Sequence, residues 1–221
     1  MTASKKIIAL LFILCAGSFL YASAQPFKED IINFKKQDSV NFPPKNSILF
    51  TGSSSFTNWT DIQNYFPSYP IINRGFGGSS LADVIRYADD VIFRYQPKQI
   101  VIYCGENDLA ASDTVYPEMV AQRFMNLFTL IRTHYKKVPV VYISLKPSIA
   151  RQHLMPRFDV ANTMIKNFLK KQRKTKFIDV YHAMLKKDGT PMDDIFLEDK
   201  LHMNAKGYAI WQKLIEPYLV K

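Results

Sequence analysis

Short runs of apolar, mostly β-branched residues alternate with longer stretches of helical spacing along most of this chain. The apolar runs cover residues 47–50, 71–73, 99–104, 138–144 and 177–180. The helical patterns cover residues 81–95, 117–135, about 157–173 and about 205–219. Nearly continuous apolar strands separated by helices are typical of a parallel sheet that is covered on both faces. The alternation therefore predicts an α/β fold, a doubly wound domain with a five-stranded parallel sheet.

The composition is that of one ordinary globular domain. The chain has 221 residues, of which 48% are hydrophobic and 22% are charged. These proportions exclude a disordered chain, a collagen-like repeat and a small disulfide-stapled protein. No Gly/Ser-rich linker, change of composition or internal repeat divides the sequence.

The chain is basic, with 29 Lys and Arg residues against 19 Asp and Glu residues and a formal net charge of +10. A basic excess can indicate a nucleic acid or another acidic partner. Here the positive charges are spread along the chain, and their densest run, residues 166–176, has helical spacing before a predicted strand. We interpret this run as a solvated helix face, with a polyanion site as the alternative, and we expect no nucleic acid partner.

Residues 1–24 have the features of a secretory signal peptide. Lys5 and Lys6 precede a mostly apolar stretch, which is followed by a small-x-small cleavage site ending at Ala24. The apolar stretch is shorter than the roughly 20 residues that a membrane span needs, so a retained signal anchor is the weaker alternative. We therefore expect an exported protein, periplasmic or secreted, in which residues 25–221 form the functional domain without stable membrane insertion.

Cleavage after residue 24 would leave Cys104 as the one remaining thiol, so no internal disulfide is expected. Cys104 ends an apolar run, a position where small buried hydrophobic residues are common. We interpret it as a packing residue, with a reactive thiol as the alternative.

Polar segments follow three of the predicted strands, and a fourth precedes the last helix. They are residues 51–55 (Thr-Gly-Ser-Ser-Ser), 74–78 (Arg-Gly-Phe-Gly-Gly), 105–108 (Gly-Glu-Asn-Asp) and 199–202 (Asp-Lys-Leu-His). In open α/β sheets, sites form in the crevice beyond the carboxyl ends of the strands. We therefore expect these four segments to converge at one edge of the sheet.

The four segments contain the groups that acyl transfer needs: a nucleophile, a base, a group that orients the base, and donors for an oxyanion. Residues 53–55 supply hydroxyls on a strand-to-helix turn, while Gly78 and Asn107 offer a backbone and a side-chain N–H donor. Asp199 and His202 can face each other, which would make His202 a general base. Among the four histidines, His202 is the one that we expect to have a carboxylate at a fixed short spacing. Each element alone also fits a helix cap, a turn or a surface pair, and the ordered set is more specific.

In this order, the set resembles the SGNH (GDSL-type) hydrolases over nearly the whole of residues 25–221. The family's first block, Gly-Asp-Ser after a strand, aligns with residues 52–54. Its second-block glycine aligns with Gly78, its Gly-x-Asn-Asp block with residues 105–108, and its Asp-x-x-His block with residues 199–202. The spacing from Asn73 to Gly78 is most similar to that of the platelet-activating-factor acetylhydrolase-like branch, which implies a flavodoxin-like fold of three α/β/α layers.

The resemblance implies a catalytic triad of Ser54, Asp199 and His202. It also implies an oxyanion hole formed by the backbone N–H groups of Ser54 and Gly78 and by the side chain of Asn107.

One position departs from the family pattern, because Ser53 stands where the name-giving motif has an acidic residue. The result is three consecutive serines. Since the side chains of neighbours in a turn diverge, we assign Ser54 as the nucleophile and leave Ser53 and Ser55 as helix caps or alternative nucleophiles.

Two further sets of residues have less specific interpretations. Arg74 lies at a strand end near Gly78, where it is either a solvent-facing residue or a cation that contacts the substrate. The remaining histidines, at positions 134, 153 and 182, are scattered without ligand spacing, so we interpret them as structural. The chemistry that the resemblance implies needs neither a metal ion nor a cofactor.

The predicted activity is that of a serine esterase for short-chain, mainly acetyl, esters carried by a small molecule or a glycan. The elements nearly use up residues 25–221 and leave little chain for the apolar tunnel that a long acyl group would need. A polar edge also suits a hydroxylated acceptor such as a sugar, and we expect it to contain Arg74, Ser79, Ser80, Glu106 and Asp108. The alternatives are a lysophospholipase-like or thioesterase enzyme, and a catalytically silent glycan-binding relative. A nucleotide-binding protein is disfavoured, because residues 52–55 lack the lysine of a phosphate-binding loop.

Overall fold

The computed structural model describes residues 26–221, and a sheet of five parallel strands lies at its centre. The strands are β1 (Ile48–Gly52), β2 (Ile71–Gly75), β3 (Gln99–Tyr103), β4 (Val140–Ile143) and β5 (Thr175–Ile178). Their order across the sheet is β2-β1-β3-β4-β5, and every pairing in it is parallel. The predicted α/β fold with a five-stranded parallel sheet is confirmed. The predicted signal peptide, residues 1–24, lies outside the described residues.

Helices cover both faces of this sheet. They are α1 (Lys28–Val40), α2 (Ser54–Thr57), α3 (Ile62–Tyr65), α4 (Leu81–Arg86), α5 (Glu106–Ala110), α6 (Pro117–His134), α7 (Met155–Leu169) and α8 (Ala205–Ile215). Residues from α1, α4, α6 and α7 form one hydrophobic core, and residues from α2, α3 and α8 form the other. Within residues 26–221, no helix is both long and apolar enough to cross a membrane.

The strand side chains alternate between these two cores. In β1, Leu49 packs on the α6 side, while Ile48 and Phe50 pack on the α8 side. Both sides are apolar because helices cover both, which explains why the strands appear in the sequence as continuous apolar runs. On the α8 side, Trp211 is fully buried, and its ring centroid lies 4.7 Å from that of Tyr103.

Several element boundaries differ from the sequence prediction. The helical pattern at 81–95 forms α4 followed by a π-helical segment (Asp89–Phe93), and α7 ends at Leu169. The basic run at 166–176 therefore spans the end of α7, a turn and the start of β5. It is a solvated helix face only at its beginning, because α7 ends at Leu169 and a turn follows, in which Lys174 has a φ of 55°.

Helix α1 has no counterpart in the sequence prediction. Its buried residues are Ile31 and Asp38, so it lacks the continuous apolar stripe that makes an amphipathic helix recognisable. The buried carboxylate of Asp38 binds the Arg74 guanidinium, with 2.5 Å between Oδ1 and Nη2. It also accepts a hydrogen bond of 2.7 Å from the hydroxyl of Tyr95. Charge pairing with β2 thus holds a helix that hydrophobic patterning does not predict.

The prediction for Arg74 is wrong in both of its forms. The residue is 7% exposed, so it does not face the solvent. Its Nε donates to the Tyr95 hydroxyl at 2.6 Å, and its guanidinium carbon lies 5.0 Å from the ring centroid of Phe34. An arginine at a strand end is free to meet a substrate only when no helix covers it, and here α1 covers it.

Replacing Asp38 by Asn is expected to lower the free energy of unfolding by about 3 kcal/mol, because removing one partner leaves the other charge buried and unpaired. Chemical denaturation measures this change. Asp90→Asn is the matched control, because Asp90 also ties α1 to the domain through Lys35, but as a partly exposed pair at 2.8 Å. Such pairs contribute less than about 1 kcal/mol. Equal losses in the two variants would contradict a buried, stability-determining pair.

Candidate active site

The predicted site residues meet in one cleft at the carboxyl end of the sheet. This cleft, here called the Ser54 cleft, has a volume of about 350 Å³. It is lined by Ser54, Asn58, Gly77, Gly78, Asn107, Arg151, Leu201 and His202. Segments after β1, β2 and β3 and the loop before α8 all contribute, so the expected convergence of the four segments is observed.

The turn after β1 brings Ser54, and not its neighbours, to the cleft. Gly52 has a φ of 144°, and a Cβ at this position would lie 1.9 Å from the carbonyl oxygen of Tyr103, so no larger residue fits. Ser53 and Ser55 are both 2% exposed, whereas Ser54 is half-buried and lines the cleft. Neither neighbour caps α2 through its side chain among the described hydrogen bonds.

Two side chains from other elements hold this turn in place. The Asn73 carboxamide donates to the carbonyl of Phe56 at 2.7 Å and accepts from the amide N–H of Gly75 at 3.0 Å. From α8, the hydroxyl of Tyr208 donates to the carbonyl of Ser55 at 2.9 Å. Ser54 therefore lies on a short helix that is fixed at both sides.

Asp199 and His202 form a hydrogen-bonded pair. The distance between Asp199 Oδ2 and His202 Nδ1 is 2.5 Å, and Asp199 Oδ1 accepts the amide N–H groups of Leu201 and His202 at 2.9 Å each. Partial burial raises the pKa of Asp199, but the hydrogen bonds from the His202 ring and the two amides outweigh it and lower the pKa to about 2. An ionised carboxylate only accepts hydrogen bonds, so Nδ1 carries the proton and Nε2 of the neutral ring is left as the acceptor.

Three N–H groups belong to residues that line the cleft and are candidate donors for an oxyanion. Gly78 adopts a φ of 83° in the turn after β2, a conformation that favours glycine. Within residues 26–221, neither the Gly78 nor the Ser54 amide N–H donates a hydrogen bond to the protein. The third group is the Asn107 carboxamide, whose Nδ2 donates to the carbonyl of Ser79 at 3.0 Å. Its second N–H hydrogen is left for a ligand.

A buried charged cluster behind the cleft is absent from the sequence prediction. The Glu106 carboxylate, 5% exposed, accepts a hydrogen bond from the hydroxyl of Tyr103 and lies 3.4 Å from Lys146 Nζ. Burial lowers the pKa of Lys146, and Glu106 opposes that shift. Lys146 also donates to the carbonyl of Leu201 at 2.9 Å, and Arg151 Nη2 donates to Asn107 Oδ1 at 2.9 Å. Lys146 and Arg151 belong to an irregular segment, so periodicity gives no signal for them.

The expected polar edge is mostly buried and already hydrogen-bonded. Ser79 is fully buried and donates to the carbonyl of Gly52 at 3.2 Å, and Ser80 caps α4 together with Asp83. Asp108, 1% exposed, accepts the Leu81 amide and the Arg123 guanidinium. With Arg74 and Glu106, these residues stabilise the segments around the cleft and are not available to a substrate. The expectation that they form a sugar-binding edge is wrong.

A second aspartate–histidine pair also corrects the sequence analysis. Asp179 and His182 have the same three-residue spacing as Asp199 and His202, and their Oδ2 and Nδ1 atoms lie 2.8 Å apart. The expectation that His202 alone has such a partner is therefore wrong. No serine or cysteine lines the groove at His182, and 68% of the His182 side chain is exposed against 25% for His202. What distinguishes His202 is a serine in the same cleft, not its carboxylate.

Cys104 and His134 have packing roles. Cys104 is fully buried, which raises its pKa well above the usual value, and the ring of His134 stacks on Phe93 with 4.4 Å between centroids. Within residues 26–221, no group of three or more His, Cys, Asp or Glu side chains could hold a metal ion.

The fold and its motif-bearing cleft define an α/β serine ester hydrolase. The chain belongs to the GDSL-like lipase/acylhydrolase family, whose model matches residues 44–210. The family that the motifs predicted is thereby confirmed. No curated protein sequence matches the chain significantly.

Solved structures of low sequence identity share the fold. A Streptococcus pneumonia protein, provisionally described as a platelet activating factor, is 17% identical with a TM-score of 0.75, over 87% of this chain and 92% of that one. A GDSL-like lipase from Bacteroides thetaiotaomicron is 20% identical with a TM-score of 0.68, over 85% of this chain and 95% of that one. An acetyl xylan esterase from Geobacillus stearothermophilus is 13% identical with a TM-score of 0.63, over 81% of this chain and 99% of that one.

Proposed function

We propose that this protein hydrolyses short-chain acyl esters, mainly acetyl esters, through Ser54, His202 and Asp199. The observation that carries the proposal is that Ser54, His202, Gly78 and Asn107 line one cleft, while Asp199 binds the far nitrogen of the histidine ring. A hydroxyl, a base, an orienting carboxylate and oxyanion donors are the complete set of groups for acyl transfer.

In the proposed reaction, His202 Nε2 takes the proton of Ser54 Oγ as this oxygen attacks the ester carbonyl. The carbonyl oxygen becomes an oxyanion that accepts hydrogen bonds from the Ser54 and Gly78 amides and from Asn107 Nδ2. The imidazolium then gives its proton to the departing alcohol, which leaves an acyl-serine. A water molecule, deprotonated by the same imidazole, then attacks the acyl-serine and forms a second tetrahedral intermediate. When this intermediate collapses, the imidazolium returns its proton to Ser54 Oγ, and the carboxylic acid is released.

The size and lining of the cleft favour a short acyl group. Of the residues that line it, Leu201 alone has an aliphatic side chain, and Gly77 and Gly78 have none. Each buried CH₂ is worth up to about 0.8 kcal/mol, so an enzyme for long chains gains from an apolar tunnel. An open cleft of about 350 Å³ with one aliphatic side chain offers no such gain.

We further propose that the alcohol side of the ester is a hydroxylated molecule such as a sugar. Asn58 lines the cleft together with Ser54 and His202 and can hydrogen-bond to hydroxyl groups. The same fold occurs in an acetyl xylan esterase and in a carbohydrate esterase family 3 protein from Talaromyces cellulolyticus, at 13% and 14% identity. The first of these proteins gives a precedent for acetyl-ester chemistry on this scaffold, and the second gives one for ester chemistry on carbohydrate.

A series of p-nitrophenyl esters from acetate to palmitate tests the acyl preference. We expect kcat/KM to be highest for acetate or propionate and to fall by at least about tenfold by octanoate, because additional methylenes remain in water. The same p-nitrophenol leaving group throughout isolates the acyl side. A steady rise toward palmitate would replace the proposal by a lipase-like or lysophospholipase-like activity.

A further inference from the structure

The carboxamide of Asn107 can serve an oxyanion only in one of its two orientations. Turning it by 180° exchanges Oδ1 and Nδ2, and an oxygen facing the cleft would repel the developing negative charge. The proposed function therefore depends on something that fixes this orientation.

Two neighbours contact opposite ends of the carboxamide. The Ser79 carbonyl accepts from Nδ2 at 3.0 Å, and Arg151 Nη2 donates to Oδ1 at 2.9 Å. A carbonyl can only accept and a guanidinium can only donate, so both contacts are lost if the amide turns. The bond from Arg151 is charge-assisted, which makes it the stronger of the two.

We propose that Arg151 is a positioning residue, which holds the Asn107 carboxamide with Nδ2 toward the oxyanion. This inference rests on the proposed function and adds a residue to it. The positive charge of the Arg151 guanidinium beside Oδ1 also polarises the amide, which strengthens the hydrogen bond that Nδ2 donates in the transition state.

The buried cluster keeps Arg151 in place. Its Nη1 lies 3.7 Å from Glu106 Oε1, and 18% of the Arg151 side chain is exposed. Glu106 is the residue directly before Asn107 and also binds Lys146, which reaches the loop of His202 through the Leu201 carbonyl. Glu106 thus forms ion pairs both with Arg151, which contacts Asn107, and with Lys146, which contacts the loop that contains His202.

A double-mutant cycle tests the role of Arg151. We expect Arg151→Met to lower kcat for p-nitrophenyl acetate by about 10- to 100-fold with KM changed less than about threefold, because the effect arises in the transition state. Asn107→Ala should lower kcat by about 10²–10³-fold. In the Asn107→Ala background, Arg151→Met should cost less than about threefold more, because Arg151 acts through a group that is no longer present.

Two further variants complete the design. Arg157→Met is the matched control, because Arg157 is also a partly exposed arginine, bound to Asp113 at 3.6 Å and absent from the lining of the Ser54 cleft. It should keep kcat within about twofold. Arg151→Lys retains a charged donor for Oδ1 and should lower kcat by at most about tenfold relative to the wild type. This loss can be measured even if Arg151→Met does not fold.

The outcomes separate this inference from the proposed function. Additive losses in the double variant, or a raised KM at unchanged kcat, would mean that Arg151 contacts the substrate directly and would overturn the inference. An unchanged kcat in Arg151→Met, with Asn107→Ala still strongly impaired, would do the same. If Asn107→Ala itself retains full kcat, the proposed oxyanion hole fails instead.

Discussion

Replacing Ser54 by Ala is expected to lower kcat by a factor of about 10⁴–10⁶, since loss of the nucleophile leaves only the weak residual catalysis of the remaining cleft. Hydrolysis of p-nitrophenyl acetate measures this loss. An organophosphorus probe gives a second readout, because it modifies only an activated serine. Wild-type protein should be labelled at Ser54 with one equivalent, as located by peptide mass spectrometry.

Ser53→Ala and Ser55→Ala are the matched controls for this experiment. Both residues are 2% exposed and belong to the same turn as Ser54, but neither lines the cleft. We expect each variant to keep kcat within about fivefold and to be labelled at Ser54. A probe attached to Ser53 or Ser55, or full activity in Ser54→Ala, would move the nucleophile. An unlabelled, inactive wild-type protein would favour the catalytically silent glycan-binding alternative.

The sheet could be predicted from the sequence because each of its strands is covered on both sides. The prediction placed a strand at 99–104, and β3 covers Gln99–Tyr103 with every residue buried. The edges were less accurate at β5, where the prediction began at residue 177 and the strand begins at Thr175. Thr175 and Lys176 are only half-buried at the edge of the sheet, so the apolar pattern starts after the hydrogen-bonded strand does.

Features that depend on polar groups meeting across the fold could not be predicted in this way. Helix α1 is tied to β2 by Asp38 and Arg74, which are 36 residues apart, and neither residue alone indicates the pair. Polarity predicts that the residues after the strands form an edge that meets a hydroxylated substrate. Asp108 shows why this fails, since a carboxylate that accepts the Leu81 amide and Arg123 can be fully buried.

In the candidate site, too, residues in short sequence motifs could be predicted, and residues that act through contacts across the fold could not. Ser54, Gly78, Asn107 and His202 were predicted because each lies in a short motif at a strand end or before α8, where the topology of an open α/β sheet brings segments together. Arg151 and Lys146 lie in a segment without helical or strand periodicity. Their importance arises from Glu106, whose neighbours are known only once β3 and β4 are placed side by side.

The chain contains two aspartate–histidine pairs, so one pair can serve as the internal control when the other is tested as the general base. Asp179 and His182 reproduce the spacing of Asp199 and His202 and the contact of Nδ1 with Oδ2, at 2.8 Å against 2.5 Å. Both histidines have an oriented ring, but only His202 lines a cleft with a serine. A carboxylate partner is therefore not what would make His202 the base, and His182 serves as a control that shares this partner but lacks the serine.

Replacing His202 by Ala is expected to lower kcat by about 10⁴–10⁶-fold, because Ser54 then has no acceptor for its proton and the leaving alcohol has no donor. His182→Ala should keep kcat within about twofold. Steady-state rates with p-nitrophenyl acetate measure both variants, and circular dichroism checks that both are folded. Adding imidazole to His202→Ala should restore part of the rate, since a diffusible base can occupy the space of the lost ring. If His202→Ala keeps activity within about tenfold, or if both variants lose activity equally, His202 is not the general base.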